Sequence, residues 1–196
     1  MITFCGTHVT KEFGAPNLRD IAVQSMRLVR FCGSAGKWFP IGMHLLLTAD
    51  LLPPELEHHG LLHDAPEVVV NDTPRPMKTK AQRALEHRVQ KRIYHSLGLR
   101  MPTPEEEALI HAADIRAVNV EGVLDYGPRG FEDLQPGLTA DPVAMKKIQD
   151  YLSCFNPLDA LNPDGYWPLR LERRLRKAIR KAQQNISPDV SYTSPA

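Results

Sequence analysis

The chain has few cysteines, no long apolar run and almost no net charge, and each scarcity removes a class of protein. Cys5, Cys32 and Cys154 are scattered and form no CxxC pair. An odd, dispersed set argues against both a disulfide framework and a thiolate zinc site. Apolar runs such as HLLLTADLL fall far short of the roughly 20 residues that a membrane-spanning helix requires. No charged-then-apolar secretion pattern opens the sequence, so a cytoplasmic protein is expected. Strand signals are also missing: neither convincing apolar/polar alternation nor an internal repeat occurs. The expectation is an all-α protein.

What is present suffices for one core, since 42% of the 196 residues are hydrophobic. The net charge of +1 is unevenly spread, because residues 168–196 hold seven Arg/Lys against two Asp/Glu. Behind Pro16 and Asn17, residues 18–31 place Ala22, Met26 and Val29 at helical intervals and predict a first core helix. A second is predicted over residues 41–52, ending at Pro53 and Pro54, and a third over 55–65 with Pro54 in its opening turn. NDTPRPMK reads as a connector, and helical spacing resumes over 81–97 until Gly98. Thr103, Pro104 and three glutamates mark the clearest helix start. The glycines and prolines of residues 125–142 predict an irregular loop, followed by a short helix over 141–155. Residues 168–185 predict a basic amphipathic helix that docks on the body or on a partner, and the last eleven residues are expected to be loose.

The stretch HGLLHDAPEVVVNDTPRPMK, residues 59–78, concentrates groups that carry chemistry. On a helix His63 and Asp64 stand about 100° apart and can straddle one ion, with Glu67 a turn further on. Two adjacent residues cannot complete a coordination sphere, so other imidazole or carboxylate ligands are required. His44 and Asp114 are the candidates, because each is a polar group on an otherwise apolar predicted helix. Taken singly, each has an ordinary reading as a core histidine bonded to a carbonyl or a helix-edge aspartate.

The order His44, then His63 and Asp64, then Asp114 resembles the H…HD…D signature of the HD-domain phosphohydrolases, a helical superfamily whose four ligands hold a divalent cation. LLHDAPEVVVNDTPRPMK resembles the nucleotidase branch, where HD, a glutamate, an aspartate and P-x-P-x-K follow in that order. FCGT, DIA, RFCG and ADIRAVNVE are similar to positions in phage and bacterial members, so the resemblance covers about residues 1–125. Such members include bacterial 5'-deoxynucleotidases, the oxetanocin triphosphate phosphohydrolase and phage dATP triphosphohydrolases.

The resemblance implies an HD-domain helical bundle over residues 1–155 and a C-terminal extension over 156–196. It implies metal ligation by His44, His63, Asp64 and Asp114, with zinc, cobalt or manganese as the ion and magnesium as a second, substrate-borne one. Glu67 would take or steer a proton of the attacking water, and Asp72 would orient water or protonate the leaving alcohol. Arg30 and Lys78 would meet phosphates, and Phe31 and Trp38 would contact the nucleoside, with Phe39 as another aromatic platform. His111 stands where relatives often carry lysine, which weakens the expected phosphate contact there. The reaction implied is a phage-type dATP or dNTP triphosphohydrolase acting in the host cytoplasm, in a homo-oligomer. A 5'-deoxynucleoside monophosphatase is the neighbouring alternative. A catalytically inactive nucleic-acid-binding module is the alternative from a different class, and the sequence disfavours it because no aromatics interleave the basic helix. Ordinary readings stand beside these roles: a turn cap for Asp72, solvated cations for Arg30 and Lys78, and core packing for Trp38 and Phe39.

Overall fold

The computed structural model describes residues 2–10, 14–34, 37–73, 77–134 and 141–185. Helix α1 (Leu18–Arg27) opens on a closed capping box: the Asn17 side chain accepts from the Asp20 N–H and the Asp20 carboxylate accepts from the Asn17 N–H. The same carboxylate accepts from the Cys5 N–H at 2.7 Å, which fastens the N-terminal segment to the helix. α1 stops four residues before Phe31 because Leu28 and Val29 turn extended. Val29 bridges Pro40, and the Arg30 N–H donates to the Phe39 carbonyl at 2.8 Å. A 3-10 turn, Arg30–Gly33, follows, with Phe31 and Cys32 at left-handed φ of 56° and 53°. That conformation costs a non-glycine residue roughly 1–2 kcal/mol.

α2 (Ile41–Asp50) buries nine of its ten residues, as a helix that is apolar all round must. α3 (Glu57–Leu62) lies against it. A Cβ at Gly60 would stand 2.8 Å from the Ala49 Cα, so glycine permits this close approach. Pro53 and Pro54 belong to the preceding turn rather than to α3, since the Leu56 N–H already donates to the Pro53 carbonyl at 2.9 Å. α4 (Glu67–Val70) is one short turn that ends at Asn71, whose φ is 66°.

α5 (Lys80–Ser96) begins at a Thr79–Gln82 capping box and ends just before Gly98. α6 (Pro104–Leu134) starts behind Thr103, as the sequence predicts, but continues past residue 125. Gly127, at φ 74° and ψ 167°, kinks the chain between two helical segments, so part of the expected 125–142 loop, up to Leu134, is helical on either side of it. α7 (Pro142–Ser153) is capped by Asp141. α8 (Pro157–Leu161) occupies what the sequence suggested was only a link, and α9 (Tyr166–Gln184) closes the described chain. The expected loose tail, 186–196, lies outside the described residues.

The fold is all-α, with two isolated bridges and no strand among the described residues. One core cluster runs from Ile21 in α1 to Ile179 in α9, so α8 and α9 share the core of the preceding helices. Polar ties reinforce the docking of α9: Arg174 reaches Asp50 at 2.6 Å and Glu57 at 2.7 Å, and Arg19 reaches Glu172 at 2.9 Å. No helix among the described residues is long and apolar enough to cross a membrane.

Candidate metal centre

The middle of α2, the C-terminal end of α3 and the face of α6 converge on one buried point. His44 of α2 is fully buried, and its Nδ1 lies 2.7 Å from Glu121 Oε1 on α6. His63, the residue after α3, places its Nδ1 2.8 Å from the Gly60 carbonyl oxygen. A carbonyl and a carboxylate only accept, so each contact puts the proton on Nδ1. The two Nε2 atoms then face one another across 3.1 Å. Their lone pairs repel unless a positive centre, a shared proton or a metal ion, lies between them.

Carboxylates complete the ring around this point. Asp114 Oδ1 lies 3.2 Å from His44 Nε2 and 3.9 Å from His63 Nε2, and ligand atoms of these three residues fall within 4.8 Å of one another. Asp64 stands beside that set, its Oδ2 3.5 Å and 3.3 Å from the two imidazole nitrogens. Metal bonds to histidine and carboxylate of roughly 2.0–2.2 Å place neighbouring donor atoms about 3 Å apart. The His–His–Asp group is therefore able to hold a metal ion, and its borderline nitrogen and hard oxygen donors suit a divalent one. Glu121 supplies the outer contact that fixes the His44 tautomer.

The electrostatics agree with a cation site. Burial and the Arg30 charge oppose protonation of His44, yet Glu121 and Asp114 outweigh them and carry its pKa up to about 10. For His63, burial is likewise outweighed, chiefly by Asp64, and the pKa rises. Burial would raise both aspartates, but His63, His44 and Arg30 hold Asp64 well below the usual carboxylate range. Asp114 is held to about 2 by the two imidazoles.

Glu67 differs from these groups. Burial, then Asp64 and Asp72, push its pKa up to about 9 against Arg30 and Lys78. Its Oε1 is 3.5 Å from Lys78 Nζ, and its Oε2 is buried with no hydrogen-bond partner among the described residues. Lys78 also reaches Glu86 at 2.9 Å.

The structure gathers most of the residues singled out from sequence but gives some of them other work. Arg30 is buried between Glu121 (3.3 Å) and Asp64 (3.5 Å), so it neutralises the centre from inside rather than projecting as a phosphate fork. Phe31 lies under the Arg30 guanidinium and edge-on to Tyr126. Trp38 is at the surface and Phe39 is packed into the core. His111 is half exposed and 3.9 Å from Asp114. Asp72 acts on Glu67 and Arg30 through its charge. Sequence reasoning missed Glu121, although its position seven residues after Asp114 puts both on one helix face.

Two clefts open on either side of His63 and Asp64 and share His87 and Gln90. One, of about 330 Å³, contains Glu67, Lys78 and Arg83. The other, of about 250 Å³, contains Tyr94, Met101, Ile110 and His111.

No family model matches the chain. The protein named Uncharacterized protein YfdR, from Escherichia coli (strain K12), is 30% identical over 95 residues, which is 46% of this chain and 53% of that protein. The chain thus spans about half the length of the curated relative it matches.

Proposed function

We propose that this chain is a metal-dependent phosphohydrolase acting on deoxynucleotides, with a triphosphohydrolase of the dATP type as the leading form. The observation that carries the reading is the pair of opposed imidazole nitrogens, 3.1 Å apart and flanked by Asp64 and Asp114, next to the buried Glu67. His44, His63, Asp64 and Asp114 are the proposed ligands. A bound divalent ion polarises a phosphoryl oxygen and lowers the pKa of water.

The chain's own groups do the rest. Glu67 handles the proton at Oε2, because Lys78 holds Oε1 while Oε2 has no hydrogen-bond partner among the described residues. Lys78 and Arg83 give one cleft the charge to receive phosphates, while Tyr94, Met101 and Ile110 make the other apolar enough for an uncharged ring. Arg30 holds the Glu121 and Asp64 carboxylates in place through ion pairs at 3.3 Å and 3.5 Å.

A second reading, a monophosphatase, is favoured by one observation: Lys78 already faces both Glu67 and Glu86, which limits the positive charge left for a long phosphate chain. Metal-stripped protein reloaded with manganese, cobalt or zinc and given a panel of dNTPs and dNMPs separates the two. Release of intact triphosphate supports the first, and release of orthophosphate from dNMPs alone supports the second. No turnover of any nucleotide with any ion, together with no ion bound in calorimetry, removes both.

A further inference from the structure

α9 carries two different kinds of basic residue. On its inner side Leu171, Leu175, Ala178 and Ile179 are buried in the core, and Arg174 beside them is neutralised by Asp50 and Glu57. On its outer side Arg173, Arg176, Lys177, Arg180 and Lys181 follow at three- and four-residue spacing, which sets them on one face. All five are exposed, and all line one shallow groove of about 550 Å³ walled by Glu57 of α3. Among the described residues only Arg176 of the five has a carboxylate partner, Glu172, which also holds Arg19. Glu57 is already bonded to Arg174, so the groove is left strongly positive.

We propose that this groove binds the phosphate backbone of duplex nucleic acid. Five like charges on one helix face repel each other, and a polyanion relieves that repulsion. From Arg173 to Lys181 the stripe is about 12 Å long, enough for three to four phosphates of one strand. No aromatic side chain lines the groove, so it lacks the stacking platform that holds single strands. The apolar side of α9 is already in the core, which leaves nothing beside the cations to enter a bilayer interface. Contacts to phosphate alone make the binding indifferent to base sequence. The sequence alone favoured a solvated face; the structure adds that the carboxylates within reach are engaged elsewhere.

Fluorescence anisotropy of a labelled 20-bp duplex with the full chain tests this across a potassium chloride series. Expected is binding at low salt that does not depend on sequence, with log affinity falling against log salt at a slope of about −3 to −5. Asp64→Ala should retain it, which separates this site from the metal centre. The combined variant R173Q/K177Q/R180Q/K181Q should bind at least about tenfold more weakly with a flattened slope. The milder K177Q/K181Q should reduce the slope by about 2, and R173K/R180K should leave binding intact. Circular dichroism melts establish that each variant is folded. No duplex binding at about 50 mM salt, equal binding to a single strand, tighter binding to phosphatidylserine vesicles, or binding that survives the combined variant would each overturn the proposal.

Discussion

α2 and α5 stand in opposite relations to water, and the contrast shows where a sequence carries functional information. α2 buries nine of ten residues, whereas α5, with seventeen, buries only Val89, Ile93 and Tyr94. A buried polar side chain on α2 that finds no partner costs about 1–3 kcal/mol, a cost borne by Thr48, whose hydroxyl has no hydrogen-bond partner among the described residues. His44 avoids that cost through Glu121 on one nitrogen and the candidate ion site on the other. On the exposed face of α5 a polar side chain needs only solvent, so residues such as Arg88 and His95 say little by themselves.

The sharpest way to break the contrast is to remove the polar group from the buried helix. His44→Ala is expected to abolish binding of one ion per chain, read by metal analysis after dialysis. Hydrolysis should fall by at least about 10³-fold, a barrier rise of roughly 4 kcal/mol. Arg88→Ala on the exposed side of α5 should change neither, and an equal effect of the two would dissolve the distinction. Next in size is packing. Leu46→Ala in α2 should lower stability by about 2–5 kcal/mol in urea titration, while Leu85→Ala, half-buried on α5, should cost less than half as much.

The seam between α3 and α5 gives a pH effect. His59 is fully buried, with Nδ1 2.9 Å from the Tyr94 hydroxyl, and burial followed by His58 lowers its pKa to about 4. A histidine held neutral in the fold stabilises fully above its unfolded pKa of about 6.5, and that contribution is lost as pH falls toward 4. Wild type should therefore lose up to about 3 kcal/mol more than His59→Phe between pH 7 and pH 4, measured by denaturation at each pH. Parallel curves would show that His59 is not the group concerned. The smallest expected effect belongs to the exposed start of α5: Thr79→Ala opens its capping box and should cost about 1 kcal/mol.

How much of this was legible beforehand follows the same contrast. Helix starts that rest on local chemistry, such as those at Asn17 and Thr103, could be read residue by residue. The end of α1 could not, because the Val29–Pro40 bridge that stops it joins residues eleven apart. Gly127 was expected inside an irregular loop and is instead a kink between two helical segments. In the site, His44, His63, Asp64 and Asp114 were nominated by residue type and spacing, and the fold does bring them together. Arg30 was expected to meet phosphate or solvent, and its burial depends on a tertiary partner, Glu121, that no local pattern announces.

Asp114 and Glu121 also make α6 a ruler. They are two helical turns apart, and one reaches the ion site while the other grips the far nitrogen of His44. Inserting or deleting one residue between them would swing Glu121 about 100° around the axis and leave His44 without its outer hold. The seven-residue interval between those two carboxylates therefore cannot change length without breaking one of the two contacts.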